Sequence, residues 1–418
     1  MDSQIQVKDR NFEQCMKCSI CTAYCPVTLV NQQFPGPKQS GPDGERYRLK
    51  DIKYFDKTLE YCLNCKRCEV ACPSDVKIAD IIQVVRFKHA PQPPSLRNRI
   101  LAGTDFVGNL STAFSGIINP LLHKQPVKIF LDKTLGIDNR RLLPYYAKKN
   151  FRKWYKKYAA HKQKDFKQHV AYFHGCYVNY NYPQLGKDLI KILNAVGIGV
   201  QLLDEQCCGM PMIMNGLVSK ATQHANHNVK VISEVIQENL PVLTTGSTCT
   251  LTLRDEYRNV LGIENGEIRA SIFLATRFLY DLIEDGKIKL KFKPDEGKKI
   301  LYHTSCHMEK LGWAIYSSRL LSLIPGSKTI VLDSTCCGLA GTHGYKKENY
   351  SDSQNIGETL FKRIAKINPQ IVATDCESCK WQIEMSTPYT VMNPISIIAN
   401  ALDVEATVKA NADADKSV

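Results

Sequence analysis

The pattern of apolar and polar positions changes near residue 169 of this 418-residue chain. From there on, short apolar runs typical of strands alternate with longer segments whose apolar residues recur at helical spacing. The predicted strands are 170–173, 200–203 and 241–244, and the predicted helices are 182–195 and 219–239. Strands that alternate with helices predict a mostly parallel sheet, so this part of the chain is expected to be an α/β unit.

The same order of elements returns further along the chain. The second set consists of strands at 299–303, 329–332 and 370–374 and helices at 308–323 and 353–367. Three pairs of cysteines lie 130, 129 and 130 residues apart: Cys176 and Cys306, Cys208 and Cys337, and Cys249 and Cys379. A nearly constant offset over three landmarks indicates an internal duplication.

Two cysteine runs precede the α/β repeats. They are Cys15, Cys18, Cys21 and Cys25, followed by Pro26, and Cys62, Cys65, Cys68 and Cys72, followed by Pro73. Each run has the spacing C-x2-C-x2-C-x3-C-P, which is typical of chains that hold two [4Fe–4S] clusters. In such chains the fourth cysteine of each run binds the other cluster. The sequence therefore predicts one cluster on Cys15, Cys18, Cys21 and Cys72, and a second on Cys62, Cys65, Cys68 and Cys25.

Clustered cysteines also form zinc sites and disulfide frameworks, and the pattern here favours neither. A zinc site needs four thiolates rather than two runs of four with trailing prolines. A disulfide framework is typical of small secreted chains, and residues 1–11 are polar and charged, so no secretory signal is expected. The seventeen cysteines also lie in groups, which favours metal ligation in a reducing compartment.

Further cysteines follow the predicted strands of each repeat. The second repeat has Cys306, Cys336, Cys337, Cys376 and Cys379, and the first has Cys176, Cys207, Cys208 and Cys249. Gly246 stands where the first repeat would have a fifth cysteine. Ligands of parallel sheets bind beyond the carboxyl ends of the strands, so the position of these cysteines is what a site in each repeat would require. The alternative is that these cysteines are buried structural thiols.

The positive charge is concentrated in one segment. The formal net charge is +14, and residues 123–169 contain fourteen Lys or Arg against three acidic residues, with aromatic side chains among them. This segment is either a solvated linker face or a surface that binds an anionic membrane. Nucleic-acid binding is not expected. Segment 106–122 carries no charge and is the best candidate for a membrane span, but glycine, proline and polar residues interrupt it, so no transmembrane helix is predicted.

No nucleotide or flavin motif is found in the sequence. There is no G-x-G-x-x-G after a predicted strand and no P-loop. A chain with clusters and no organic cofactor would exchange electrons with partner proteins.

The cysteine pattern resembles known families. C…CCG…CxxC resembles the cysteine-rich domains of the heterodisulfide reductase B-subunit and of glycolate and lactate oxidising iron–sulfur proteins. This resemblance implies a further, non-cubane iron–sulfur cluster on the five cysteines of the second repeat. The absence of a cysteine at position 246 argues against one in the first repeat.

The chain as a whole resembles the C-subunit family of anaerobic glycerol-3-phosphate dehydrogenases, through segments 36–46, 61–77, 173–181 and 375–384. The resemblance implies an electron-transfer subunit that is not an enzyme on its own. It would take electrons from a flavoprotein A/B pair that oxidises sn-glycerol 3-phosphate and pass them to menaquinone in anaerobic respiration. It would lie on the cytoplasmic face of the inner membrane as a peripheral protein and could anchor the pair there.

Three alternatives stay open at this point. The chain could be the catalytic component of a disulfide or quinone reductase of the heterodisulfide-reductase type. It could be the iron–sulfur component of a glycolate or lactate oxidising complex. It could also be a membrane adaptor whose clusters are structural.

The sequence thus predicts a combined α+β and α/β fold. Its parts are a mostly helical, ferredoxin-type two-cluster domain at 1–94, a basic connector at 95–168, cysteine-rich α/β repeats at 169–290 and 291–404, and a disordered tail at 405–418.

Overall fold

Two parallel sheets of four strands each are found in a computed structural model that describes residues 11–294 and 297–412. The first sheet has the order β2-β1-β3-β4 and contains β1 (Gln168–Tyr172), β2 (Ile198–Leu202), β3 (Val242–Thr244) and β4 (Ile272–Leu274). The second has the order β6-β5-β7-β8 and contains β5 (Lys299–His303), β6 (Lys328–Leu332), β7 (Ile371–Ala373) and β8 (Val391–Met392). Neighbouring strands in both sheets are parallel. The prediction of tandem α/β repeats is confirmed.

The segment before the first sheet is mostly helical, as the sequence predicts. Around the cysteine runs lie α1 (Ile20–Ala23), α2 (Gly44–Lys50), α3 (Arg67–Val70) and α4 (Ile78–Lys88). The connector contains α5 (Leu96–Ala102), α6 (Thr104–Ala113), α7 (Ser115–Leu122), α8 (Gln125–Leu135), α9 (Phe151–Tyr158) and α10 (Ala160–Gln163). Asn150 begins α9, because its side chain accepts a hydrogen bond from the backbone N–H of Lys153 at 2.8 Å.

Helices connect the strands of both repeats. The first repeat contains α11 (Pro183–Ala195), α12 (Met210–Met214), α13 (Val218–Ile236), α14 (Ser247–Leu251), α15 (Tyr257–Asn259), α16 (Gly266–Arg269) and α17 (Ala275–Glu284). The second contains α18 (Cys306–Leu311), α19 (Ala314–Ser322), α20 (Tyr350–Ile367), α21 (Glu377–Ser386) and α22 (Pro394–Ala401). The helix predicted at 308–323 is in fact two helices, because Gly312 has a φ of +69° and ends α18. Strands β4 and β8 are too short to show a periodic pattern, and the sequence does not predict them.

The expectation of a disordered tail from residue 405 is wrong for residues 405–412. These residues belong to α23 (Val404–Ala412). Their polar side chains bind an earlier segment: the backbone N–H of Lys291 donates to Thr407 Oγ1 at 3.0 Å, and that of Lys289 donates to Asn411 Oδ1 at 2.9 Å. Residues 413–418, the rest of the predicted tail, lie outside the described residues.

The two repeats share one hydrophobic core, which includes Tyr172 of the first and Tyr302 of the second. The cysteine runs have a core of their own, built around Val76 and helix α4. A smaller apolar cluster joins the two parts, since Cys25 and Leu63 pack with residues of the second repeat. The cysteine runs therefore lie directly against the second repeat.

The connector helices expose large apolar side chains. Phe106 is 76 % exposed, Ile117 63 % and Phe130 63 %, and Leu110, Phe114 and Leu121 are also exposed. Within residues 11–294 and 297–412, no helix is both long enough and apolar enough to span a bilayer.

Candidate iron–sulfur sites

The first predicted quartet of cysteines lies around one cleft. Cys15, Cys18 and Cys21 of the first run line this cleft together with Cys72 of the second run. Burial raises the pKa of the Cys21 thiol, and the neighbouring Cys15 and Cys72 raise it further. The structure therefore brings Cys72 to the first run, as the predicted exchange of the fourth cysteines requires.

The second predicted quartet is also brought together. Burial raises the pKa of Cys65 to about 12, with the nearby Cys25 and Cys62 adding to the rise, and burial raises that of Cys25 to about 11. Burial also raises the pKa of Cys68, and Cys65, Cys62 and Cys25 are among the groups that add to it. Cys25 of the first run thus lies with three cysteines of the second run.

Both runs use the same unusual backbone conformation. Lys17 and Ser19 in the first run have φ values of +61° and +64°, and Asn64 and Lys66, at the equivalent places in the second, have +52° and +63°. Left-handed conformations are uncommon for residues other than glycine and cluster at functional sites. Here they turn the chain between successive cysteines of each run.

The two quartets fit iron–sulfur clusters in the chemistry of their donors. Each supplies four neighbouring thiols, and cluster irons are bound by four Cys thiolates. Thiols with raised pKa values become strong thiolate ligands only when a metal ion displaces their protons. In the part of the chain that the structure describes, no three His, Cys, Asp or Glu side chains are arranged to hold a single metal ion. That these eight cysteines are ligands stays a prediction.

The five cysteines of the second repeat converge beyond the carboxyl ends of β5, β6 and β7. Burial raises the pKa of Cys306, and the charges of Cys336, Cys65, Cys376 and Cys337 add to the rise. The neighbouring thiols of Cys337 and Cys376 raise the pKa of Cys379, and its burial adds to the rise. Cys65 of the second run is one of the neighbours of Cys306 and Cys336, so the second quartet adjoins this group.

The backbone conformation after each pair of adjacent cysteines favours glycine. Gly338 follows Cys336 and Cys337 with a φ of +86°, and Gly209 has +91° at the equivalent place. A Cβ at Gly338 would also overlap the backbone oxygen of Ser353, whereas one at Gly209 would meet no atom closer than 3.7 Å. The cysteine pair of the second repeat is therefore held more tightly against its neighbouring helix.

The four cysteines of the first repeat converge at the equivalent edge of the first sheet. The Sγ atoms of Cys207 and Cys176 are 3.8 Å apart. The neighbouring thiols of Cys207 and Cys249 raise the pKa of Cys208, and its burial adds to the rise. Cys176 and Cys249 are partly exposed, and Cys207 and Cys208 are buried.

The first-repeat cysteines border a larger cleft, of about 260 Å³. Cys176 and Cys207 line it beside Arg152, His174 and Glu205. Arg152 Nη2 lies 3.0 Å from Glu205 Oε2, and His174 Nε2 lies 2.9 Å from Glu205 Oε1. Burial alone would raise the pKa of Glu205, but the charges of His174 and Arg152 outweigh it and lower that pKa.

Sequence reasoning does not identify the acidic residue that enters the first repeat from the second. Glu377 follows Cys376 and lies near Cys249, where its charge helps to raise the pKa of that thiol. Burial raises the pKa of Glu377 itself to about 7. The C-x-x-C spacing draws attention to Cys376 and Cys379, but the position of the intervening side chain depends on how the repeats pack.

Sequence reasoning also misses a buried ionic cluster beside the second quartet. The Lys66 ammonium pairs with Asp80, and it lies 2.9 Å from Glu256 and 3.9 Å from Glu69. Lys310 of the second repeat lies 2.8 Å from Glu69. Because Lys66 directly follows Cys65, this cluster joins the cysteine loop to both repeats.

The histidines near the repeat cysteines are held in the neutral form by burial. Burial lowers the pKa of His303 and His307 to about 4 and that of His343 to about 3. His307 Nδ1 lies 3.1 Å from Thr248 Oγ1. Both ring nitrogens of His303 are buried without a hydrogen-bond partner among the described residues.

Comparisons with known proteins identify the family of this chain. The chain is 54% identical over 398 residues to the C-subunit of anaerobic glycerol-3-phosphate dehydrogenase from Escherichia coli K12, which covers 95% of this chain and 100% of that protein. The chain belongs to this C-subunit family. It is an iron–sulfur electron-transfer subunit, and the resemblance stated from its sequence is confirmed.

Domain families match the same parts of the chain. A 4Fe-4S dicluster domain matches residues 11–76, and a cysteine-rich domain matches twice, at residues 170–254 and 300–384. More distant relatives share part of the length. The D-subunit of dihydromethanophenazine:CoB–CoM heterodisulfide reductase from Methanosarcina barkeri is 29% identical over 58% of this chain and 61% of that protein. The B-subunit of fumarate reductase (CoM/CoB) from Methanothermobacter marburgensis is 28% identical over 52% of this chain and 42% of that protein.

Proposed function

We propose that this chain carries electrons from a flavoprotein A/B pair, which oxidises sn-glycerol 3-phosphate, to menaquinone at the cytoplasmic face of the inner membrane. The observation that carries the proposal is the continuity of the cysteine groups. The second quartet lies between the first quartet and the five cysteines of the second repeat, because Cys65 adjoins Cys306 and Cys336. Family membership, at 54% identity to a component of glycerol-3-phosphate dehydrogenase, supports the choice of donor.

The proposed cluster ligands are the two quartets of the N-terminal segment. Cys15, Cys18, Cys21 and Cys72 would hold one [4Fe–4S] cluster, and Cys62, Cys65, Cys68 and Cys25 the other. Each cluster would supply a centre that gains and loses one electron. The chain's own part is to hold the two centres at a fixed separation, which exchange of the fourth cysteines achieves by tying each run to both sites.

The second repeat is proposed to hold a further, non-cubane cluster on Cys306, Cys336, Cys337, Cys376 and Cys379. These five thiols converge, and they lie beside Cys65. Two [4Fe–4S] clusters alone correspond to about eight irons per chain. More iron than this, together with acid-labile sulfide, would support a third centre, and its loss in Cys337→Ser would locate that centre in the second repeat.

Attachment to an anionic membrane surface is proposed for the connector. Helices α6, α7 and α8 expose Phe106, Ile117 and Phe130. Exposed lysines accompany them, among them Lys124 just before α8 and Lys133 within it. Apolar side chains beside basic ones are typical of helices that lie in the plane of a bilayer surface. Arg141, by contrast, is buried and donates to Ser353 Oγ at 2.7 Å, so not every basic residue of the segment is available to lipid.

The experiment that tests the electron-transfer proposal uses the anaerobically purified chain with the flavoprotein pair. Addition of sn-glycerol 3-phosphate should give the electron paramagnetic resonance signals that dithionite gives with the chain alone. A subsequent menaquinone analogue should remove them. If the partners and substrate reduce none of the centres that dithionite reduces, the proposal is wrong.

A second candidate is a disulfide reductase that works at the cysteine-rich repeats. The open cleft beside Cys176 and Cys207 favours it, because a small substrate could reach the partly exposed Cys176 thiol. The chain alone, supplied with reduced viologen, would then reduce a small disulfide with steady turnover. An electron-transfer role predicts no disulfide turnover without the partner proteins.

A further inference from the structure

The missing cysteine of the first repeat is not explained by backbone conformation. Gly246 has φ and ψ of −120° and 128°, and Cys376, its equivalent in the second repeat, has −127° and 118°. This is extended backbone that any residue adopts. A cysteine at position 246 would therefore be unstrained, and the glycine must have another reason.

That reason is the carboxylate of Glu377. A Cβ at Gly246 would overlap Glu377 Oε1 and would lie 3.1 Å from its carboxyl carbon. Glu377 belongs to the second repeat, where it lies at the start of α21. Its side chain thus fills the place in the first repeat that the second repeat gives to the Cys376 side chain.

The loops that carry these residues are fixed against each other. The backbone N–H of Ser247 donates to the backbone oxygen of Asp375 at 2.8 Å. The hydroxyls of Ser247 and Ser305 are 3.2 Å apart. Glu377 forms no ion pair with a cationic side chain in the described part of the chain, so its carboxylate is available to another positive partner.

We propose that the first repeat holds an iron–sulfur centre through Cys176, Cys207, Cys208 and Cys249, with the Glu377 carboxylate of the second repeat as its fifth ligand. The inference rests on the proposed iron–sulfur function of this family and adds a site to it. Cluster irons accept ligands other than cysteine, as the histidine-bound clusters of Rieske proteins show. Carboxylates are common iron ligands, and a carboxylate keeps the single negative charge of the thiolate that it replaces.

A carboxylate ligand from the second repeat should give the first-repeat centre its own reduction potential. Glu377 is flanked by Cys376 and Cys379, which belong to the second-repeat group, so one short segment contacts both sites. Replacement of a cysteine ligand by another type of ligand changes the reduction potential of a cluster. We therefore expect the two repeats to hold centres with different potentials.

The test measures iron and acid-labile sulfide in anaerobically purified full-length variants, together with their electron paramagnetic resonance spectra. Cys249→Ser defines how much iron the first-repeat centre contains. Glu377→Gln, which removes the carboxylate charge and keeps the size, should lose the same amount. Glu384→Gln is the matched control on the same helix, because Glu384 pairs with Lys380 and should keep the wild-type content.

A rebuilt site gives a second, gain-of-function test. Gly246→Cys alone should not replace the carboxylate, because its side chain would collide with Glu377. The double variant with Gly246→Cys and Glu377→Ser removes the collision and gives the first repeat five cysteines. It should recover the iron that Glu377→Gln loses, with a midpoint potential shifted from that of the wild-type centre.

Three results would overturn the inference. The Glu377→Gln variant could retain the iron that Cys249→Ser loses, with the midpoint potential of the wild-type centre. Cys249→Ser could lose no iron, which would mean that the first repeat holds no centre. The double variant could fail to recover iron although its thermal unfolding matches that of the wild type. In each case the signals of the N-terminal clusters show separately whether the electron-transfer proposal stands.

Discussion

The ammonium of Lys66 lies 2.9 Å from the carboxylate of Glu256, and this buried ion pair joins the second cysteine run to the first repeat. The Lys66 side chain is 3% exposed and that of Glu256 is 1% exposed. Buried charges are tolerated only with close partners, and removal of one partner leaves the others uncompensated. Lys66 also pairs with Asp80 and faces Glu69. Glu69 has a second partner in Lys310, but among the described residues Asp80 and Glu256 pair with no cation other than Lys66.

Lys66→Met should therefore destabilise the protein by about 3–5 kcal/mol, the usual cost of leaving buried charges without their partner. Lys77→Met is the matched control, because Lys77 pairs with the exposed Asp75 and should cost at most about 1 kcal/mol. Urea denaturation under anaerobic conditions measures both. Equal losses in the two variants would contradict the role given to the buried cluster.

The two glycines of the repeated cysteine pairs should differ in their tolerance of alanine. Gly209→Ala should lower the free energy of unfolding by about 1–2 kcal/mol, because it introduces only the strain of a positive φ. Gly338→Ala meets the same strain and also overlaps the backbone oxygen of Ser353, which typically adds about 1–3 kcal/mol. Denaturation midpoints compare the variants. If Gly209→Ala is the less stable of the two variants, close packing of α20 does not make Gly338 the less tolerant position.

Membrane attachment should depend on the apolar side chains of the connector. Each large apolar side chain contributes about 1.5–3 kcal/mol when fully buried. The double variant Phe106→Ser and Phe130→Ser should therefore bind anionic phospholipid vesicles at least about tenfold more weakly, since tenfold corresponds to about 1.4 kcal/mol. Co-sedimentation with vesicles measures this binding.

The control for this prediction is the double variant Ile315→Ser and Val331→Ser, which removes two exposed apolar side chains from the second repeat. It should bind vesicles as the wild type does. High salt should also weaken binding, because it screens the attraction between lysines and lipid headgroups. Unchanged binding in the connector variant would assign attachment to another surface.

Much of the fold can be predicted from the sequence, because apolar runs and the cysteines that come after them mark the strands that recur with an offset of about 130 residues. Strand β5 is found at 299–303, the bounds that the pattern predicts. Helix α23 could not be predicted, because Thr407 and Asn411 are polar and gain their role only from contact with Lys291 and Lys289.

The sequence likewise predicts part of the candidate sites, and the rest depends on tertiary structure. Spacing alone predicts which cysteines belong together, because C-x2-C-x2-C-x3-C is a local pattern. It also shows that the first repeat lacks a cysteine at Gly246. It cannot show that Glu377 fills the gap, because that contact forms between residues 131 positions apart through the packing of two repeats. The buried partners of Lys66 are likewise set by tertiary structure.

The central claim is that two interleaved quartets of cysteines hold the clusters, and one comparison tests it most directly. Cys25→Ser and Cys72→Ser each change only the fourth cysteine of a run. The electron paramagnetic resonance spectrum of reduced Cys25→Ser should lack the same cluster signal as that of Cys65→Ser. The spectrum of reduced Cys72→Ser should lack the same cluster signal as that of Cys18→Ser. If Cys25→Ser instead matches Cys18→Ser, or if oxygen-protected protein contains no iron, the account is contradicted.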